Sequence, residues 1–216
     1  MYQWGRKDGF PGADGSTILP DGNTGSVTIN LHGADGSTAL TEDVDGYCKV
    51  DISAEGVLNE NNTLSYSIQH PLHFIMGNSD WYVLDATYQN DLLWGDNNIK
   101  GTYDPCPRGW RVPTDGTWND FSVITFPYYI QGNQTTDGGY TETNGRQYNH
   151  MTWYPASGYR DYEEGTLYSV GRNGYYLTIT VDDTSINSLR FYMANGISLN
   201  RSGLRTPGFS VRCVQE

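Results

Sequence analysis

Tyr103-Asp-Pro-Cys-Pro-Arg-Gly-Trp-Arg-Val-Pro-Thr-Asp-Gly-Thr-Trp118 is the stretch on which the reading of the whole chain depends. Pro105 and Pro107 bracket Cys106. Neither can donate a backbone hydrogen bond, and each pushes the residue before it toward extended geometry, so the chain enters this segment as a strand or turn. Thr114 then reads as a helix N-cap with Asp115 in the first turn, and Trp118, Phe121 and Ile124 are spaced to share one face of a helix over 114–125. The partner stretch is Gly208-Phe-Ser-Val-Arg-Cys-Val214. Here Phe209, Val211 and Cys213 alternate with Ser210, Arg212 and Val214, the period of a half-buried strand.

Outward from these two segments, the chain has the composition of a folded protein. Its 216 residues are 37% hydrophobic and include six Trp and 17 Tyr, enough to fill a sizeable core. No run of about 18 apolar residues is present, so no helix is expected to span a membrane. No signal peptide is visible at Met1, and the aromatic, charged opening Tyr2-Gln-Trp-Gly-Arg6 reads as a start placed inside a longer protein. The formal charge is −12, with three Lys and the Arg residues scattered singly. Phosphate binding needs clustered cations, so nucleic acid is excluded as a partner, and no direct membrane contact is expected. A Tyr-, Asn- and Gly-rich, Lys-poor composition fits a recognition surface, and it fits a loop-rich secreted domain as well.

Residues 12–63 are rich in Gly, Asp, Asn, Ser and Thr, and read as a β-ribbon insertion. They hold Gly12-Ala-Asp-Gly-Ser-Thr17 and its repeat Gly33-Ala-Asp-Gly-Ser-Thr38. The spacing departs from calcium-binding loops, so Asp-Gly turns are the favoured reading. Val27 to Leu31 and Tyr47 to Ile52 alternate as strands, with Cys48 on the apolar face as a buried thiol. Leu64 to Met76 reads as extended, and His70 and His73 as ordinary histidines, because further zinc ligands are missing nearby. Residues 127–152 read as a long turn-rich connection, with Gly138-Gly139 and Asn144-Gly145 as turn signals. Tyr175 to Val181 and Leu189 to Met193 read as strands, Asn195-Gly196 as a turn, and Ile197 to Pro207 as a polar loop. No nucleophile elbow, phosphate loop or Cys-x-x-Cys is present, so no enzyme, cofactor or metal is expected.

Three segments carry a family resemblance: Asp104-Pro-Cys-Pro-Arg-Gly-Trp-Arg-Val-Pro-Thr114, Pro155-Ala-Ser-Gly-Tyr-Arg-Asp161 and Gly208-Phe-Ser-Val-Arg-Cys-Val214. Together they resemble the major paralogous domain first named from Fibrobacter succinogenes, found on surface lipoproteins and fimbrillin-type adhesins of Bacteroidetes. The match is specific over roughly residues 100–216, and Tyr2-Gln-Trp-Gly-Arg-Lys-Asp8 and Ser67 to Ile75 also resemble longer members. One departure is Leu177-Thr178-Ile179, where the family continues Trp-Ser-Ser after Gly-Tyr-Tyr. The resemblance implies an α+β, C-type-lectin-like fold over a single domain 1–216, in which the first and last strands pair and bring Cys106 near Cys213. The calcium-ligand signature of sugar-binding lectins is imitated by Trp118-Asn119-Asp120 on the wrong element, so calcium-dependent sugar binding is not expected. The paired cysteines of the related formylglycine-generating oxidases are not recognisable.

For function, the resemblance implies an extracellular, cell-surface adhesin or ligand-binding domain, similar to the variable proteins of diversity-generating retroelements. Its partner is then a protein or glycan on another cell surface. A structural fimbrial subunit is the alternative. The strand pattern places Leu189, Phe191 and Met193 in the core and exposes Arg190 and Tyr192. In a lectin-like fold the neighbours Thr178, Thr180, Asp182, Asp183, Asn187, Ser188, Ser198, Asn200, Arg201, Leu204 and Thr206 converge with Arg190 and Tyr192 on one binding face.

Overall fold

The proline-bracketed turn is gripped from both sides. Asp104, fully buried, accepts hydrogen bonds from the Cys106 amide through Oδ1 (2.8 Å) and from the Val112 amide through Oδ2 (3.0 Å). Lys100 Nζ donates to the carbonyls of Cys106, Pro107 and Trp110 at 2.5–2.9 Å, and lies 3.6 Å from the Asp104 carboxylate. One acid thus satisfies the turn's amides and one lysine its carbonyls, which is the requirement for irregular backbone beside a core. Cys106 is joined to Cys213 in a disulfide, with Cα atoms 5.7 Å apart.

The structure, a computed structural model, describes residues 1–12, 17–18, 27–28, 30–41, 44, 48–53, 58–59, 61–130, 133–135, 144–192 and 196–216. In chain order the elements are β1 (Thr17–Ile18), β2 (Val27–Thr28), β3 (Cys48–Asp51), α1 (Thr63–Gln69), β4 (His73–Met76), β5 (Trp110–Arg111), β6 (Tyr128–Ile130), β7 (Asn133–Thr135), β8 (Asn144–Tyr148) and β9 (Thr152–Pro155). They continue with β10 (Tyr159–Arg160), β11 (Leu167–Tyr168), β12 (Asn173–Asp182), β13 (Ser185–Tyr192), β14 (Ile197–Gly203) and β15 (Val214–Gln215). Short 3-10 turns occur at Ala86–Tyr88 and Asp115–Trp118.

These elements correct the expected fold class. Instead of an α+β, C-type-lectin-like arrangement, the described residues form small sheets, antiparallel except for β3 beside β4, and one seven-residue α-helix. The helix expected over 114–125 is a single 3-10 turn, and Ile124, assigned to its buried face, is 84% exposed. The Ser122 hydroxyl accepts from the amides of Ile124 and Thr125, and Thr125 Oγ1 donates to the Asp120 carbonyl. Such side-chain bonds offer the backbone an alternative to helix, and β-branched Thr117, Val123, Ile124 and Thr125 gain little from helical geometry.

Helix α1 lies where an extended segment was expected. Asn62 Oδ1 accepts from the Asn59 amide, Asn59 Oδ1 accepts from the Asn61 amide, and the Thr63 hydroxyl donates to the Asn59 carbonyl, closing the first turn. Its buried residues are Thr63 and Ser67, four apart, whereas Ile68 is exposed. At its C-terminal end the buried Arg6 guanidinium donates to the carbonyls of Ser67, His70, Pro71 and His73. A cation is favoured there by the helix dipole and by the orphan carbonyls. Burial lowers the Arg6 pKa to about 9, still cationic at neutral pH.

The three-stranded sheet β12-β13-β14 divides the interior. One of its faces contributes Tyr175, Leu177, Ile179 and Ile186 to a core that includes Trp4, Trp81, Trp94, Cys106 and Phe209. The other contributes Tyr176, Leu189 and Phe191 to a second core with Trp118, Phe121, Phe126 and Tyr154. Buried Arg146 braces that second core, donating to the Phe126 and Tyr192 carbonyls and lying 5.0 Å over the Tyr128 ring. The expected long connection over 127–152 is largely the sheet β7-β6-β8-β9. Asn144-Gly145, read as a turn, lies in β8, and its glycine answers to packing rather than to a turn, since a side chain at 145 would collide with the Trp153 ring. Ile197 to Pro207, read as a loop, contains edge strand β14, whose polar residues suit an unpaired edge. The turn signals at Gly138-Gly139 and Asn195, most of the first Gly-Ala-Asp-Gly-Ser-Thr copy, and Met193 lie outside the described residues.

The quoted segments 104–114, 155–161 and 208–214 meet in space. Besides the disulfide, the Arg160 and Gly208 backbones exchange two bonds of 2.9 Å, and the Ser157 and Ser210 hydroxyls are 2.7 Å apart. Gly158 has φ +66 and its missing Cβ leaves room for the Tyr168 carbonyl, so glycine is required by both conformation and space. Gly174, opposite Phe191 in the β12–β13 register, lies directly under that ring. Gly174→Ala forces a Cβ into the ring, and is expected to cost about 1–3 kcal/mol, read as an earlier urea midpoint with an unchanged slope.

Candidate functional site

The face of β13 and β14 that meets the first core ends in an open cleft. It has a volume of about 370 Å³ and is lined by Tyr159, Asp161, Tyr162, Tyr175, Ser188, Arg190, Arg201, Ser202, Gly203, Leu204, Pro207 and Phe209. Antiparallel register builds it. Tyr175 on β12 pairs with Arg190 on β13, which pairs with Ser198 on β14, and the next row of the same face is Leu177, Ser188 and Arg201. A register shift between Ser188 and Arg190 separates these two rows on β14. Such irregularities re-aim side chains at sheet edges.

The floor is aromatic. Tyr175 stacks on Phe209 with ring centroids 4.9 Å apart, Tyr159 meets Tyr175 edge-on at 5.0 Å, and Tyr159 stacks on Tyr168 at 5.8 Å. The Arg190 guanidinium lies 4.7 Å over the Tyr175 ring and 4.5 Å over the Tyr192 ring. Such cation–π stacking orders its long side chain in advance of any contact. Burial raises the Tyr159 pKa to about 12 and raises that of Tyr175. Both phenols are therefore protonated at neutral pH and can donate. Tyr162 is also raised, chiefly by its hydrogen bond to Glu163.

Of the residues assigned to one binding face, the cleft gathers Ser188, Arg190, Arg201 and Leu204. The others are dispersed, because both faces of this sheet are covered. Thr178 is fully buried, with its hydroxyl donating to the Asn187 carbonyl and its own carbonyl receiving the Trp4 indole. Thr180 and Asn187 point to the 3-10 turn, where Thr180 Oγ1 accepts from the Asp115 amide and Asn187 Nδ2 donates to the Asp115 carboxylate. Asp182 and Asp183 are exposed at the β12–β13 turn, and the Asp183 carbonyl receives Arg205. Ser188, although it lines the cleft, is 1% exposed and donates to the Arg201 carbonyl. Thr206 is buried, with its carbonyl bonded by Gln3. Asn200 is exposed on β14 and Ser198 is half-buried on it. Leu189 and Phe191 are fully buried, but Arg190 and Tyr192 are half-buried where exposure was expected.

The sequence reading missed Tyr159, Asp161, Tyr162, Tyr175 and Phe209. The signal for Tyr175 was available, since it precedes Leu177 and Ile179 on one face of β12. Tyr159 and Asp161 belong to the segment 155–161 and were read only as framework, and Tyr162 follows directly on it.

Elsewhere, His70 and His73 stack at 4.7 Å and the Tyr66 hydroxyl meets His73 Nδ1 at 2.7 Å. Among the described residues no group of three or more His, Cys, Asp or Glu is placed to hold a metal ion. In the repeat Gly33 to Thr38, the Asp35 carboxylate accepts from the Ser37 and Thr38 amides at 2.9 Å, a local turn. Among the described residues no helix is long and apolar enough to cross a membrane. No family model, curated protein or solved structure matches the chain.

Proposed function

We propose that this chain is the ligand-binding domain of a cell-surface adhesin, with the tyrosine- and arginine-lined cleft over β13 and β14 as its recognition surface. The observation that carries the reading is the composition of that cleft: Tyr159, Tyr162, Tyr175, Arg190 and Arg201 converge on one open cavity. Tyr and Arg are the residue types that most often dominate binding energy, and tyrosines give large contact area at low entropy cost. Among the described residues the cations lining the cleft are Arg190 and Arg201, fewer than the cluster a nucleic-acid site needs. The three segments resembling the Bacteroidetes surface domain support an extracellular setting, because they form the disulfide-closed framework beside the cleft.

On this reading the β14 edge is where sequence can change without loss of fold. Asn200, Arg201 and Ser202 are exposed, whereas Thr178, Ser188, Leu189, Phe191, Arg205 and Thr206 are buried. A diversity-generating retroelement protein would then vary at the first set and hold the second. A reverse transcriptase gene and a near-identical template repeat beside the coding sequence are the expected genomic signature.

The direct test is adhesion of the purified protein to a panel of bacterial and host cells, followed by flow cytometry. Arg201→Glu changes an exposed side chain and should leave the melting temperature within a few degrees. Binding is expected to fall about tenfold or more. Undiminished adhesion by a folded Arg201→Glu protein would place the site elsewhere, and loss of folding instead would make this strand structural.

A further inference from the structure

A second open cavity of about 380 Å³ lies beside the first, lined by Asp51, Ser53, Met76, Gly77, Asn78, Leu84, Tyr162 and Glu163. Tyr162 lines both. Its position is fixed by backbone, since the Gly77 amide donates to the Tyr162 carbonyl at 3.2 Å, tying the 161–164 turn to the end of β4. The two cavities differ in charge. On one side of Tyr162 are Arg190 and Arg201, with Asp161, whose Oδ1 is held by the Glu163 and Glu164 amides. On the other are Asp51 and Glu163, both exposed, with Met76 and exposed Leu84 as apolar wall.

We infer that the two cavities form one groove across Tyr162, and that its ligand is a peptide segment bearing an acidic side chain for the arginine end and a basic side chain for the Asp51–Glu163 end. The inference rests on the reading of the cleft as the recognition surface and specifies its ligand. Three observations favour a peptide over a neutral glycan. Sugar stacking needs an open ring face. Of the four aromatic rings lining the arginine cleft, Tyr175 and Phe209 stack on each other at 17° and are 5% and 8% exposed, and Tyr159 stacks on Tyr168 and meets Tyr175 edge-on, which leaves Tyr162 as the one half-open platform. What the arginine end offers instead is guanidinium and phenol donors, which match a carboxylate. The acidic end offers the Asp51 and Glu163 carboxylates, the polar side chains of Ser53 and Asn78, and an apolar wall of Met76 and Leu84, which match the ammonium and methylene stem of a lysine. Net charge argues in the same direction. A purely acidic ligand is repelled by a chain of charge −12, whereas a segment of balanced charge is not.

The test uses three sets of synthetic fluorescein-labelled dodecapeptides: Asp- and Lys-containing, Asp-only, and uncharged. Binding to the whole chain is followed by fluorescence anisotropy at low and physiological salt. The mixed-charge set is expected to contain the tightest binders, with affinity falling as salt rises. Arg201→Glu and Glu163→Lys should each weaken those binders about tenfold. The double variant should instead prefer peptides in which Asp and Lys are exchanged. Tighter binding of the uncharged or Asp-only set, or of no set at all, overturns the inference. If Arg201→Glu abolishes cell adhesion while Glu163→Lys leaves it unchanged, the recognition cleft stands and the two-cavity groove falls.

Discussion

Replacing Cys106 and Cys213 together by alanine is expected to lower the melting temperature by roughly 10–20 °C. The bond closes a loop with a sequence separation of 107. A loop of about that length restricts the unfolded chain by about 4–5 kcal/mol, and each kcal/mol shifts the midpoint by about 2–4 °C in a protein of this size. Alanine is the cleaner replacement, because Cys106 is buried among apolar groups and a serine hydroxyl there would need a partner. Reduction of the unsubstituted protein should reproduce the shift. Thiol titration in denaturant should count one thiol, that of Cys48, before reduction and three after it. A midpoint that moves by only a degree or two would mean that the 104–107 turn and the terminal segment hold together through other contacts.

The reading of the sequence succeeded where a constraint acted over short range or through covalent arithmetic. Pro105 and Pro107 forbid helix at Cys106 whatever surrounds them, and the alternation through Leu189 and Phe191 marks buried positions whichever layer covers them. It failed where the decision belonged to packing. Leu64, Tyr66 and Ile68 alternate like a strand, yet the segment is helix α1, whose inward face combines buried Thr63 and Ser67 with half-buried Leu64 and Tyr66 and leaves Ile68 exposed. Apolar periodicity alone does not register a face completed by two hydroxyl residues. The proposed helix at 114–125 failed for the converse reason: Trp118, Phe121 and Ile124 have the right spacing, but Ser122 and Thr125 satisfy the backbone locally.

The candidate site was half legible for a related reason. Alternation along β13 correctly separates Arg190 from Leu189 and Phe191, but it does not reveal that the opposite face is also covered. Two cores, one on each side of the sheet, leave only its end open. Arg190, Arg201, Ser188 and Leu204 meet there with Tyr159 and Tyr162, which lie on a different hairpin and turn. Bringing those together requires the backbone exchange between Arg160 and Gly208, a long-range pairing that no local pattern announces.

Asp104 is the second position where a single change should be severe, and the chemistry of the substitution separates its role from mere volume. Its two carboxylate oxygens each accept from a different amide, Cys106 on Oδ1 and Val112 on Oδ2, and the side chain is fully buried. Asp104→Ala leaves both donors without an acceptor, at about 1–3 kcal/mol each, and removes the partner of Lys100. A loss of about 3–5 kcal/mol is expected, measured by urea unfolding of the oxidised protein. Asp104→Asn nearly preserves shape, yet it should rescue little. An amide has one acceptor oxygen, so its NH2 group would face an amide N–H at either Cys106 or Val112. If Asp104→Asn retains wild-type stability, the two-amide account of this turn is wrong. If Asn and Ala are similarly destabilising while Lys100→Met costs distinctly less, the carboxylate's paired acceptance is what fixes Asp-Pro-Cys-Pro. Lys100 differs because its removal uncovers carbonyls at a turn whose Pro107 and Trp110 sides are open to water, and water can replace the ammonium there but cannot reach the amides held by Asp104.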